Sequence, residues 1–176
     1  MIAGLETRLD DLIEKAVRAL FESPDISVRR LEPEDGAAED HDIAASIGFM
    51  GKDIQGTILI TTSMTVVARA WPRELRTRKP SQAETCDWAG ELVNQLLGRV
   101  KNALVRFGVA LEQGTPKVET GEPIHRALPS TNLARRYVFS VADEALLVYF
   151  DAVVLEGFAL SDSEKPGTVE GDVFLF

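Results

Sequence analysis

Within the stretch DWAGELVNQLLGRVKNAL, residues 87–104, a carboxylate, Glu91, precedes a carboxamide, Asn94, by three positions. That spacing makes the two side chains neighbours on one face of a helix. Ionised glutamate can pair with a cation. Asparagine donates and accepts hydrogen bonds at once and does not titrate near neutral pH. At 100° per residue, Leu92, Val93, Leu96, Leu97, Val100, Ala103, Leu104 and Phe107 fall on a core-facing side of this helix. Glu84, Asp87, Glu91, Asn94, Gln95, Gly98 and Asn102 collect on the opposite stripe. Gly98 is the unexpected member. A glycine inside a helix costs roughly 1 kcal/mol relative to alanine. Either another segment of the chain packs closely over it, or a foreign surface docks there beside Glu91 and Asn94.

The elements that must carry this face can be read from periodicity. Residues 3–22 place Leu5, Leu9, Leu12, Ile13, Ala16, Val17 and Leu20 at helical spacing, and Ser23-Pro24 ends that helix. Residues 25–41 are acidic and turn-rich, an exposed connection. IAASIGFMGKDIQGTILITT, residues 43–62, reads as a β-hairpin turning at Gly51-Lys52-Asp53. A short helix over about 64–75 follows, then the linker RTRKPSQAE, then one long amphipathic helix within residues 87–116. A β-prone segment near Val109 and a loop holding Gly114, Pro116, Gly121, Pro123 and Pro129 come next. RRYVFSVADEALLVYFDAVVL reads as a second hairpin turning near Asp143. The order helix–hairpin, helix–hairpin predicts an α+β domain spanning residues 1–176. Its helices lie on an antiparallel sheet, with a weak internal duplication. Residues 161–176 form a polar loop ending in a short apolar strand without an assigned partner.

Bulk properties narrow the function. The formal charge is −9, and 27% of residues are charged. Binding to phosphate backbones or anionic lipid needs clustered Lys and Arg, so nucleic acid and membrane surfaces are poor partners for so acidic a chain. One cysteine, Cys86, allows no intrachain disulfide and no thiolate cluster. No apolar run approaches a membrane span, and the expected location is the cytoplasm. His41, in AEDHD, reads as a solvated loop histidine and His125 as a surface or satisfied one, so no metal site is expected. Cys86 reads as a small buried thiol. The basic run RELRTRKP, residues 73–80, reads as a solvated linker, or as a face for an acidic partner.

GELVNQLLGRVKNAL resembles the motif helix of the CheC/CheX family of chemotaxis phosphatases. That family's pattern is Asp or Ser, Glu four residues on, Asn three after it, and a proline about twenty-two residues later. Asp87, Glu91, Asn94 and Pro116 fill these places, with a gap of 21 residues before Pro116. Gly98 and Lys101 match the family's small residue and lysine, and DIQGTILITTSMTVVARAW resembles its strand and short helix. The resemblance spans about residues 42–153. The first helix, LETRLDDLIEKAV, carries no Glu-x-x-Asn, so the chain is more like CheX, with one site, than like CheC, with two.

The resemblance implies hydrolysis of the aspartyl phosphate on a CheY-like response regulator. On that reading Glu91 and Asn94 are catalytic, Asn94 orienting the attacking water and Glu91 pairing with a lysine of the partner. Asp87, Gln95, Gly98 and Lys101 would meet the partner. The chain needs no cofactor of its own, because the regulator brings the Mg²⁺, and homodimers joined through their sheets are implied. The rival reading is a non-catalytic CheX-like module that binds a signalling partner or dimerises.

Overall fold

The computed structural model describes residues 2–32, 41–72, 78–121, 131–158 and 160. Helix α1 (Ile2–Phe21) leads to strand β1 (Val28–Leu31) and to the hairpin β2 (Ile43–Gly51) and β3 (Ile54–Thr62). Helix α2 (Met64–Arg69) and helix α3 (Gln82–Val105) follow, then β4 (Leu111–Gln113), β5 (Lys117–Thr120) and the hairpin β6 (Leu133–Val141) and β7 (Glu144–Val154). The strands form one antiparallel seven-stranded sheet in the order β1-β6-β7-β3-β2-β4, with β5 also on β2. The architecture is α+β, as the pattern of elements implies.

The duplication is an exchange. β1 opens the first half but pairs with β6 of the second, whereas β4 and β5 open the second half and pair with β2 of the first. β3 and β7 meet in the middle along nine residue pairs. Reversing the sheet and swapping the halves restores the same order. The helices obey the same relation. Leu5, Leu9, Ile13, Ala16 and Val17 are buried on α1, and Thr85, Ala89, Val93, Leu96 and Leu97, at the matching positions of α3, are buried as well.

Both helices lie on one face of the sheet and touch each other, α3 over β2 and β5, α1 near β1 and β6. Leu92, Val93, Leu96, Leu97, Val100 and Leu104 are all buried under α3. Each such aliphatic side chain contributes about 1.5–3 kcal/mol by leaving water, an upper estimate. Ala103 and Phe107 are only half-buried, and Phe107 lies beyond the helix end with Arg8 of α1 stacked 4.3 Å over its ring.

Several expectations need correction. The segment 25–41 contains β1. The long helix starts at Gln82, because Ser81 and Glu84 form a capping box inside what reads as a linker, and it ends at Val105. The short helix stops at Arg69, two residues before Trp71-Pro72. The segment after Val109 holds two strands, β4 and β5. The second hairpin does turn near Asp143 as expected, at Ala142-Asp143 with φ of 51° and 68°, the left-handed pair that a two-residue type I′ turn requires. His125, Arg73–Thr77 of the basic run and the 161–176 tail lie outside the described residues.

Candidate functional site

The capping box starts α3 firmly. Ser81 Oγ accepts from the Glu84 amide, and Glu84 accepts from the Ser81 amide at 2.8 Å. Arg78 Nη1 donates to Glu84 at 2.8 Å, and this guanidinium, then the two Ser81 donors, hold the Glu84 carboxyl down at about 2. Arg78 of the basic run is thus tied to the helix start. From there α3 carries its polar stripe along the sheet edge. Asp87 and Glu91 are exposed; Asn94, Gln95, Gly98 and Lys101 are half-exposed.

Two carboxamides brace the Glu91/Asn94 pair. Gln95 Nε2 donates to Glu91 Oε1 at 2.8 Å, one turn along the helix. Gln113 Nε2 donates to Asn94 Oδ1 at 2.8 Å from strand β4. Gln95, expected to face a partner, is half-exposed and also holds Glu91 within the chain, and Gln113 joins the candidate pair as a residue that sequence reasoning missed.

Gln113 reaches α3 because of a bulge. Phe49 pairs with Gln113 and Ser46 with Lys117, so Ile47 and Gly48 oppose three residues, Gly114, Thr115 and Pro116. The extra residue shifts the alternation of side chains. Gln113 before the bulge lies opposite core-facing Phe49, and Val118 after it lies opposite core-facing Ala45, so both point toward the helices. Pro116 has no N–H to offer a ladder, which a bulge tolerates. A Cβ at Gly90 would stand 3.5 Å from Val118 Cγ2 and 3.7 Å from Pro116 Cβ. The proline therefore packs beside the turn of α3 that carries Glu91.

Gly98 meets nothing. A Cβ built there would have, among the described residues, no atom within 4 Å beyond the neighbouring backbone of its own helix. Among the described residues the close-packing explanation for this glycine therefore fails. Gly56 is the contrast, since a Cβ there would run into the backbone of Asp151 and Ala152. Gly56 is needed inside the chain, whereas Gly98 leaves a bare step on the surface beside Asn94.

The sequence profile of the chemotaxis phosphatase CheX family matches residues 43–140. The chain belongs to the CheX family. No curated protein matches it. Among solved structures, CheX from Vibrio vulnificus superposes with a TM-score of 0.65 at 18% identity, covering 81% of this chain and 91% of its own. CheX from Desulfovibrio desulfuricans gives 0.62 at 18%, covering 81% and 94%. A CheX–CheY complex with BeF3 and Mg²⁺ from Borrelia burgdorferi gives 0.54 at 14%, again covering 81% and 94%. At such identities these CheX structures establish the shared fold.

The remaining candidates fall elsewhere. His41 is buried, not solvated, with Nδ1 2.7 Å from Thr61 Oγ1 on the sheet. Cys86 is half-buried against the core. Among the described residues no group of three metal-ligating side chains comes together, and no helix is long and apolar enough to cross a membrane.

Proposed function

We propose that this CheX-family chain hydrolyses the aspartyl phosphate of a CheY-like response regulator. The observation that carries the reading is the ridge of α3. Glu91 and Asn94 stand side by side on its outer face, and Gly98 leaves open space one turn on. Family membership and a fold shared with a CheX found in complex with CheY support the same partner.

The division of labour follows from what each protein holds. The regulator brings the acyl phosphate, its Mg²⁺ and a lysine, which together stabilise charge on the transferring phosphoryl group. What is left is to place a water in line with phosphorus. The Asn94 carboxamide does this without titrating, and fixing the water in a reactive geometry supplies several kcal/mol. Glu91, held by Gln95, pairs with the partner's lysine. Asp87 lies one turn before Glu91 on the same face, and Lys101 extends the contact beyond Gly98. A homodimer and a cytoplasmic location belong to the same reading.

The test is decay of a phosphorylated regulator with wild type and with Asn94→Ala. Wild type should accelerate decay, and the variant should lose about 100-fold of that acceleration. Equal decay with both would reject catalysis by Asn94, and no acceleration by wild type would replace the phosphatase by a binding module.

A further inference from the structure

Gln113 belongs to no motif, yet it is bonded to the group that meets the water. Its Nε2 donates to Asn94 Oδ1 at 2.8 Å, and the bulge that follows it keeps it turned toward α3. Resting on the phosphatase reading above, we propose that Gln113 is a positioning residue that fixes which half of the Asn94 carboxamide faces the attacking water.

A carboxamide has a donor end and an acceptor end of nearly the same shape, and a half-turn about its last bond exchanges them. On an exposed helix face bulk water hardly distinguishes the two. A donor on β4 does. It holds Oδ1 toward the sheet and leaves Nδ2, with the second lone pair of Oδ1, for the partner. The donation also polarises the amide, so its outward N–H becomes a stronger donor. The net preference from one such bond corresponds to a population ratio of roughly threefold to tenfold. Gln113 breaks no bond and moves no proton. It acts only through Asn94.

The experiment measures kcat and KM for a phosphorylated regulator with wild type, Gln113→Leu, Gln113→Glu and Gln113→Lys, and with Gln113→Leu combined with Asn94→Ala. Leucine removes the donor, glutamate keeps the size but can only accept, and lysine keeps a donor. Leu, which leaves the two orientations about equally populated, should lower kcat by up to about twofold, and Glu, which reverses the preference, by about threefold to tenfold. For Leu, KM should stay within about twofold. Lys should retain kcat near wild type, and Gln113→Leu should have no further effect once Asn94 is alanine. An undiminished kcat in Gln113→Glu, or the same loss for Gln113→Leu in the Asn94→Ala background, overturns the proposal. Nitrogen-15 relaxation of the Asn94 side-chain amide adds a readout independent of turnover. Its order should fall in Gln113→Leu, and unchanged order would overturn the restraint itself. A fall in order in a protein that never accelerates phosphate loss would instead sink the phosphatase reading.

Discussion

Glu14 and Arg30 in the first half occupy the places that Asn94 and Gln113 hold in the second. Arg30 Nη1 donates to Glu14 Oε2 at 3.3 Å from β1 to α1, as Gln113 donates to Asn94 from β4 to α3. The position matching Gly98 is Arg18. Its guanidinium donates to Glu14 Oε1 at 3.0 Å and to the Val28 carbonyl at 2.6 Å. One scaffold therefore carries two different surfaces. In the first half charges are spent on one another and a long side chain covers the ridge. In the second a neutral amide pair stands beside a bare glycine. The difference teaches that one fold can carry two unlike surfaces: a position emptied beside neutral neighbours gives the second half the open face on which the proposed function rests.

The comparison can be broken by treating the halves alike. Asn94→Ala should cost about 100-fold in turnover, while Glu14→Ala leaves turnover intact and lowers stability by no more than about 1 kcal/mol. Parallel assays and denaturant melts would check this. Turnover lost with Glu14 as well would mean that both faces work.

Gly98→Ala sharpens the contrast from the stability side. With nothing outside its own helix within 4 Å, the added methyl meets no obstacle, so the variant should gain roughly 0.5–1 kcal/mol and melt about 1–4 °C higher. A lower melting temperature would mean that some segment does pack there.

The smallest effect is acid dependence, and of the two matching faces only the first, around Glu14, carries it. The Arg18 hydrogen bond, helped by Arg30 and opposed by partial burial, holds the Glu14 carboxyl below its ordinary value of 4.5. A depressed folded pKa gives stability that is present above about pH 4.5 and lost as pH falls through the folded value. Glu14→Gln should therefore flatten the acid limb of the melting temperature by a small amount, of the size expected for a surface pair. Asn94→Asp would add a titrating group to the second half. Asn94→Ala, which adds none, should leave the acid limb as in wild type.

Much of this was legible in the residues, for reasons that differ by element. The period of 3.6 over Leu92–Leu104 places Glu91, Asn94 and Gly98 on one face without any structure. Both hairpins announce themselves by β-prone runs around short turns. β1 does not, because its four residues are half polar and its partner, β6, lies more than a hundred positions on. The emptiness over Gly98 was undecidable, since it depends on where every other segment goes. Gln113 was hidden for the same reason. Its reach to Asn94 needs a bulge whose extra residue appears only once β2 has chosen its partners. Ser81-x-x-Glu84 was a readable signal that the apparent linker obscured. His41 shows that acidic neighbours do not keep a histidine in solvent when the chain next to it enters a sheet.

The account turns on the open step at Gly98, and Gly98→Arg, which copies Arg18, tests it most directly. Titration calorimetry with a beryllofluoride-loaded CheY-like regulator should give binding to wild type and at least tenfold weaker binding to the variant, whose circular dichroism stays that of the native fold. Undiminished affinity in a folded Gly98→Arg protein would contradict it.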